Sequence, residues 1–258
     1  MISRQTLLLA MAIAIGIAAF PVAVADTAPR IAIIIDDLGY QVRAGRRAIE
    51  LPGPLSYAVL PGTPGGRLLA EAAHSSGKEV LLHLPLEAVE HKGSAEPGGI
   101  TLDMTRAMLR DAFATALESV PFAIGVSSHR GSLLTRHPGH MAWLMQEIRS
   151  RDGLFFIDSY THHKSVALKM AGEAGVPAIK RDVFLDSDRS AASLAREFDR
   201  LKALAAANGV AVGIGHPYPE TLDFLERELR ALDGENFELI PISEALQSFV
   251  EPGMAGAF

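Results

Sequence analysis

The sequence predicts an α/β fold built as one barrel of seven or eight strand–helix units. From residue 30 onward, short apolar runs alternate with patterns typical of helices, and repeated strand–helix units imply a parallel sheet. About 230 residues follow the apolar N-terminus, which suits seven or eight such units closed into a barrel. A doubly wound open sheet is the alternative.

The first predicted strand, residues 31–36, is apolar at five consecutive positions before its aspartate. A continuous apolar run is typical of a strand that is buried on both faces of a sheet. Similar short runs predict the remaining strands at residues 56–60, 79–84, 122–127, 153–158, 177–180, 210–215 and 237–240.

The longest predicted helix spans residues 190–207. Its apolar residues recur at three- and four-residue spacing, which gives the helix one apolar face: Leu194, Phe198, Leu201 and Leu204. Further helical patterns lie between the other strands, at residues 66–75, 105–119, 140–149 and 219–232. Residues 87–102 are rich in glycine and irregular in pattern, and they predict a long loop after the third strand.

The composition excludes several classes of protein. The 258 residues include 24 Lys and Arg against 30 Asp and Glu, a formal net charge of −6. An acidic balance disfavours binding to nucleic acid or to an anionic membrane surface, which normally requires a basic patch. The chain has no cysteine, so disulfides, thiolate metal sites and cysteine nucleophiles are excluded. Any metal site must therefore consist of histidine and carboxylate ligands.

The N-terminus has the pattern of a secretory signal peptide. Arg4 provides a positive charge, residues 7–20 form an apolar core, and Pro21 follows it. The sequence Ala-Val-Ala at residues 23–25 is a small-residue cleavage signature. We expect residues 1–25 to be removed after Ala25, leaving residues 26–258 as one domain in the periplasm or outside the cell. An uncleaved membrane anchor is the alternative.

Residues capable of acid–base chemistry or metal binding stand at the ends of most predicted strands. In parallel α/β folds the carboxyl ends of the strands meet at one edge, where functional sites form. We therefore expect one site at this rim, drawn from the residues at five strand ends: Asp36 and Asp37, His83, His129, Asp158 and His216.

The pair Asp36 and Asp37 ends the buried first strand, and the turn that follows allows both carboxylates to face one site. One carboxylate can bind a cation while the other accepts a proton from water. The alternative is that an aspartate caps the next helix, with Gly39 in the turn.

His83 lies at the end of the third strand, and Glu87 follows it by four residues. His83 is either a metal ligand or a core histidine bonded to the backbone, and Glu87 is either a second ligand or a supporting partner. His129 and Arg130 lie in the strand exit GVSSHRGS, where small residues allow a ligand to approach the backbone.

His216 lies between two glycines and two prolines in GIGHPYP, which predicts a rigid strand exit. Because histidine titrates near neutral pH, His216 can protonate a leaving group; a surface histidine is the alternative. Asp158 is a candidate for the site or for turn capping. Arg181 and Asp186 flank the sixth strand exit, where an Arg–Asp ion pair would either orient a catalytic aspartate or be structural.

Several of these segments, in this order, resemble the divergent polysaccharide deacetylase family of carbohydrate esterases. The resemblance implies a distorted (β/α) barrel with a divalent metal, usually zinc, at its rim. It extends over residues 29–249 and rests on six segments: IAIIIDDLGY at 31–40, GKEVLLHLPLE at 77–87, GVSSHRGS at 125–132, LFFIDSYT at 154–161, KRDVFLD at 180–186 and GIGHPY at 213–218.

The resemblance assigns roles to individual residues. Asp36 resembles the general base, Asp37 the metal-binding aspartate, His83 the first metal-binding histidine and His216 the general acid. Glu87 stands where the ordinary deacetylases have their second metal-binding histidine.

Two further features of the resemblance concern the fourth predicted strand. His129 is the expected substitute for the second metal-binding histidine. The Arg-x-Pro-Tyr motif of the ordinary deacetylases is absent, and only Arg130 lies nearby.

The function that the resemblance implies is metal-dependent hydrolysis of N-acetyl or O-acetyl groups on a cell-envelope polysaccharide. The expected partner is a peptidoglycan-type glycan, with no role for nucleic acid or for a membrane beyond the signal segment. The alternative is a catalytically inactive protein that binds glycans, or serves as an envelope scaffold, on the same fold.

Overall fold

The computed structural model describes residues 28–91 and 96–250. The predicted signal peptide at residues 1–25 and the last eight residues lie outside these ranges. Within them, no helix combines the length and the apolar character that a membrane crossing requires.

Nine parallel strands form the sheet in the described part of the chain. Around the sheet the order is β6-β5-β4-β3-β2-β1-β8-β7, and β9 pairs with the beginning of β1. Their bounds are β1 Arg30–Leu38, β2 Ser56–Val59, β3 Glu79–Leu86, β4 Ala123–Arg130, β5 Phe155–Asp158, β6 Ala178–Lys180, β7 Val183–Phe184, β8 Val210–Gly215 and β9 Glu238–Ile240.

This strand order confirms the predicted distorted barrel. Neighbouring strands follow the order of the chain around the sheet, without the reversal of order that a doubly wound sheet requires. The consecutive strands β6 and β7 stand at the two ends of the order, so the sheet curls into a half-barrel that is open between them.

The described chain has eight α-helices, of which seven connect strands and α8 follows β9. They are α1 Val42–Ile49, α2 Gly66–Ser75, α3 Arg106–Ser119, α4 Pro138–Arg149, α5 Ala167–Ala174, α6 Ala191–Asn208, α7 Pro219–Ala231 and α8 Ile242–Val250. Short 3₁₀ turns occur at Val89–His91, Leu134–Arg136 and Leu232–Gly234. The first of these turns lies in the segment that the sequence predicts to be an irregular loop.

Strand β1 is buried on both faces, as its sequence predicts. Ile31, Ile33 and Ile35 join the large core between the sheet and the outer helices, whereas Ala32 and Ile34 join a smaller core inside the barrel. The period-two alternation of a strand explains this division. Burial of both faces fixes the register of the strand, because a slip of one residue would exchange the outward-facing and inward-facing side chains.

The inner core is closed at the amino ends of the strands by α8. Ile242, Ala245 and Leu246 pack inside the barrel. The backbone N–H of Ile242 donates to Ser56 Oγ, 3.2 Å away, at the start of β2. With this end of the barrel filled, the carboxyl ends of the strands are left as the open rim.

Three strands end later than the sequence predicts. β1 continues to Leu38, β3 to Leu86 and β4 to Arg130, so each runs two or three residues beyond its predicted end. The short strand β7 was not predicted, because Val183–Phe184 is too brief to show a periodic pattern.

Candidate metal centre

The end of β1 turns two adjacent aspartates toward the inside of the barrel. Asp36 lies two residues after Ile34 and shares its inward face. Asp37 would point outward in a regular strand, but its φ of 62° lies in the left-handed region, and the register with β2 shifts between Ile35 and Leu38. Such a bulge reorients a side chain, and here it brings both carboxylates to one site.

Two histidines reach the same point from neighbouring strands. His83 follows the interior residue Leu81 in β3, and His129 projects from the end of the adjacent strand β4. His83 Nε2 lies 3.2 Å from Asp37 Oδ1, and His129 Nδ1 lies 3.0 Å from the same oxygen. The two ring nitrogens are 3.1 Å apart.

The three atoms Asp37 Oδ1, His83 Nε2 and His129 Nδ1 therefore form a nearly equilateral triangle. Four tetrahedral ligands about 2.0 to 2.1 Å from zinc are separated by about 3.3 to 3.4 Å. The sides of 3.0 to 3.2 Å are close to this separation. Asp37 Oδ1 is buried and has no hydrogen-bond partner of regular geometry. The donor set thus fits a divalent metal ion.

The two aspartates have opposite electrostatic properties. Burial alone would raise the pKa of Asp37, but the imidazoles of His129 and His83 outweigh it and hold this pKa well below its usual range. Burial raises the pKa of Asp36, despite the nearby His83, whose Nε2 is 3.5 Å from Asp36 Oδ2. The Oδ1 atom of Asp36 is buried and lacks a hydrogen-bond partner. Asp37 is therefore a stable anion, and Asp36 is suited to accept a proton.

A histidine–aspartate pair faces this group from β8. His216 Nδ1 is 2.8 Å from Asp186 Oδ1, and the backbone N–H of His216 donates to Asp186 Oδ2 at 2.7 Å. Burial alone would lower the pKa of His216, but the bond and charge of Asp186 raise the pKa to about 9. The other ring nitrogen, Nε2, lies 3.9 Å from Asp37 Oδ2 and so points toward the site.

Glycine at position 215 leaves room for Thr221, which also contacts Asp186. A Cβ atom on Gly215 would lie 3.3 Å from the Thr221 methyl group and 3.6 Å from Asp186 Oδ2. Thr221 Oγ1 donates to the same carboxylate oxygen at 2.9 Å. A larger residue would therefore crowd Thr221, which donates to the buried carboxylate that holds His216.

Glu87 lies outside the triangle, although the resemblance places it at a metal-ligand position. Its carboxylate accepts the backbone N–H of Leu102 at 2.6 Å, and its carbonyl oxygen accepts those of Leu133 and Leu134. Glu87 is buried and fastens the loop after β3 to the loop after β4. These contacts fix Glu87 between the two loops, and Glu87 is not among the three residues of the triangle.

Asp158 and Arg181 hold the exit of β5. Asp158 follows the outward-facing residue Phe156 by two positions, and its carboxylate accepts the Ser165 hydroxyl and the Tyr160 N–H, at 2.6 and 2.9 Å. Arg181 donates from Nε to Ser159 O, 2.7 Å away, and burial lowers its pKa to about 10. In the described chain Arg181 forms no ion pair, so the Arg–Asp pair considered from the sequence is not present.

Glu96 is a residue of the centre that the sequence pattern did not indicate. Its carboxylate lies between His129 Nε2, at 3.3 Å, and the guanidinium of Arg130, at 2.9 Å. Only the acidic character of this residue within a glycine-rich loop could have suggested a role, and that signal is weak.

The centre opens into a groove with a cavity volume of about 650 Å³. Tyr40 and Tyr218 line the groove with 57% and 38% of their surfaces exposed, and the Arg189 guanidinium lies 4.7 Å from the centre of the Tyr218 ring. Two cationic side chains, Arg130 and Arg189, also line it.

Comparison with known families and solved structures agrees with the fold. Residues 33–246 match the model of the divergent polysaccharide deacetylases, which is most of the chain. The chain belongs to this family. The matched range contains every residue of the centre described above.

Two bacterial relatives of this family member are known as uncharacterized proteins. One, from Haemophilus influenzae, is 37% identical over 82% of this chain and 74% of its own length. The other, YibQ from Escherichia coli, is 36% identical over 78% of this chain. That match spans 62% of YibQ, less than two thirds of its length.

Solved structures share the fold of this family member. Uncharacterized protein ATU2773 from Agrobacterium tumefaciens matches with a TM-score of 0.81 at 23% identity, over 86% of this chain and 90% of its own. The catalytic domain of a peptidoglycan N-acetylglucosamine deacetylase from Eubacterium rectale matches with a TM-score of 0.54 at 15% identity, over 86% of this chain and 94% of its own. A CE4-family pseudoenzyme from Bacillus anthracis matches with a TM-score of 0.52 at 12% identity, over 85% of this chain and 66% of its own.

Proposed function

We propose that this protein is an exported, metal-dependent deacetylase that removes N-acetyl or O-acetyl groups from a cell-envelope polysaccharide. The observation that carries the proposal is the convergence of Asp37, His83 and His129 on one buried point beside Asp36 and His216. Three protein ligands leave a zinc ion with an open position, which catalytic sites require.

A divalent metal held by Asp37, His83 and His129 would supply a Lewis acid that polarises the carbonyl of an acetyl group. Asp36 is the general base in this proposal. Its pKa is raised by burial and its Oδ1 has no partner, so the carboxylate is available to take a proton from the attacking water.

His216 is the general acid. With a pKa of about 9, its ring is protonated at neutral pH. Asp186 occupies Nδ1, so Nε2 is the atom that donates a proton to the departing amine or alcohol. Asp36 and His216 thus take the two complementary roles, base and acid, that general acid–base catalysis needs.

The groove supports a glycan as the substrate. Exposed aromatic side chains at a cleft are typical of a ligand-binding surface, and Tyr40 and Tyr218 offer two such rings. The Eubacterium rectale neighbour, which shares the fold, acts on peptidoglycan N-acetylglucosamine. A peptidoglycan-type glycan is the substrate class that we propose.

The proposed export rests on the sequence of residues 1–25. Purification of the protein from the envelope fraction and sequencing of its N-terminus would test the proposal, with Asp26 expected as the first residue. A mature protein that retains Arg4 would show that this segment is not cleaved.

A second candidate function is glycan binding without turnover. Glu87, in place of the second histidine of ordinary deacetylases, favours it, because Glu87 is bonded to the backbone of Leu102 and does not reach the metal centre. A CE4-family pseudoenzyme also shares this fold. The two functions differ in whether acetate is released.

The deciding experiment combines metal analysis with an acetate-release assay on peptidoglycan and on chitooligosaccharides. We expect about one zinc per chain and acetate release that stops on chelation and returns when metal is restored. Glycan binding with bound zinc and no acetate would support the second function. Equal activity in metal-free and metal-loaded protein would contradict the catalytic proposal.

A further inference from the structure

Glu96 makes a specific contact with a proposed metal ligand. Glu96 Oε2 lies 3.3 Å from His129 Nε2, and Glu96 Oε1 lies 2.9 Å from a guanidinium nitrogen of Arg130. The Glu96 side chain is 27% exposed and that of His129 is 14% exposed, so this contact is partly shielded from water. Both nitrogens of the His129 ring therefore face a carboxylate: Asp37 on one side and Glu96 on the other.

The backbone holds Glu96 in this position. The carbonyl of Glu96 accepts the N–H of Gly99 at 2.8 Å, which closes a tight turn. Directly after the turn, Ile100 donates to the carbonyl of Pro85 in β3 at 2.9 Å and accepts the N–H of Glu87. The segment that carries Glu96 is thus fixed to the strand that also carries His83.

This geometry determines which nitrogen of His129 is free to bind metal. A neutral imidazole carries one proton, and a hydrogen bond from one ring nitrogen fixes the tautomer that exposes the lone pair of the other. A carboxylate beside Nε2 favours the proton at Nε2. It therefore leaves Nδ1 as the donor atom, and Nδ1 is the atom 3.0 Å from Asp37 Oδ1.

We propose that Glu96 is a positioning residue, which fixes the orientation and tautomer of His129 so that Nδ1 binds the metal. The inference rests on the proposed metal site, and it assigns to Glu96 a role beyond the deacetylase chemistry itself. Arg130 is part of the arrangement, because its contact with Oε1 leaves Oε2 directed at the histidine.

The competing explanation is a surface ion pair between Glu96 and Arg130 that only fastens the loop. Exposed pairs of this kind contribute little to stability, and Arg130 is 38% exposed. The two explanations differ at the metal. Loss of a loop contact alone would lower stability slightly and leave metal affinity and the chemical environment of His129 unchanged.

The test measures zinc affinity by competition with a chelator, without any glycan, in the full mature protein. We expect Glu96→Ala to weaken zinc binding by about 10- to 100-fold, the range typical of a carboxylate behind a metal-binding histidine. Glu96→Gln should fall between Glu96→Ala and wild type, because an amide oxygen still accepts the Nε2 proton. Glu90→Gln is the matched control, since Glu90 belongs to the same loop but accepts from Ser132 Oγ.

The second readout is ¹⁵N NMR of the histidine rings in the zinc-loaded protein. In wild type we expect His129 with Nδ1 bound to metal and Nε2 protonated, and in Glu96→Ala a changed Nε2 signal. Wild-type zinc affinity and an unchanged His129 signal in Glu96→Ala would overturn the role of Glu96 alone. A wild-type protein that binds no zinc would overturn the metal site and this inference together.

Discussion

Asp186 holds His216 by two hydrogen bonds at once, one to the backbone N–H and one to ring Nδ1, at 2.7 and 2.8 Å. Asp186 lies just after β7 and His216 directly follows β8, so the pair joins two adjacent strands at the rim. The double contact fixes both the position of the residue and the rotation of its ring. Nε2 therefore has one available direction, toward Asp37.

This pairing predicts a pH-dependent contribution to stability in the metal-free protein. The pKa of His216 is about 9 in the folded state and about 6.5 in an unfolded chain. Because the folded pKa is the higher one, the stabilisation is complete below pH 6.5 and disappears as the pH rises through 9. Wild type should have a higher free energy of unfolding than Asp186→Asn. This difference should be larger at pH 6 than at pH 9.5, by roughly 2 to 3 kcal/mol.

Urea denaturation in the presence of a chelator would measure this difference. Thr221→Val is the matched control, because it removes a hydrogen bond to the same carboxylate without removing the charge, so its effect should not vary with pH. Asp36 and Asp37 also face His216 and contribute less, and both remain in all three proteins. The same difference in free energy of unfolding between wild type and Asp186→Asn at both pH values would contradict the prediction.

Asp37→Ala should abolish tight metal binding. The variant removes one corner of the triangle, and its effect on affinity should exceed the roughly 100-fold that loss of an outer partner produces. Glu87→Gln provides the comparison: its side chain can still accept from Leu102, and we expect wild-type affinity. Equilibrium dialysis with zinc would measure both. Zinc loss in Glu87→Gln would show that Glu87 is a ligand after all.

Asp36→Asn should separate metal binding from catalysis. Asn has nearly the shape of Asp but cannot act as a base, so we expect full zinc occupancy with acetate release lower by about 10²- to 10⁴-fold. Metal content and kcat would be determined on the same sample. Loss of zinc from this variant would identify Asp36 as a ligand, and retention of full kcat would remove it from the base role.

The strand order and most strand positions follow from the sequence because the interior strands are continuous apolar runs. β8 begins and ends where the pattern predicts, at Val210 and Gly215. The predicted strand ends near the rim were less accurate. The polar residues there pair in the sheet, although their sequence is typical of a loop. His129 illustrates this: it belongs to β4, although the apolar run stops before it.

The alternation of side chains between the two faces of a strand explains why some candidates reach the site. Asp36 lies two residues after Ile34, and His83 two residues after Leu81, both of which face the interior. Asp158 lies two residues after Phe156, which faces the helices. The period-two alternation of a strand is therefore enough to separate Asp158 from Asp36 and His83.

Other parts of the centre depend on information that local patterns do not contain. Asp37 reaches the metal position only because of the backbone bulge. The regular alternation of side chains along a strand would have placed it on the outer face. Asp186 meets His216 across 30 residues of chain. Glu96 comes from a loop whose path is set by long-range backbone hydrogen bonds to β3.

Asp158→Ala should destabilise the protein and leave the metal centre intact. The buried carboxylate satisfies the Ser165 hydroxyl and the N–H of Tyr160, whose φ of 50° marks a strained turn. Removing the carboxylate leaves these donors unpaired, and we expect a loss of about 1 to 3 kcal/mol in the free energy of unfolding. Ser165→Ala removes only one of the two contacts and should have a smaller effect. Urea denaturation and zinc competition on the same preparations would test both expectations, and weakened zinc binding in a folded Asp158→Ala protein would place Asp158 in the metal centre.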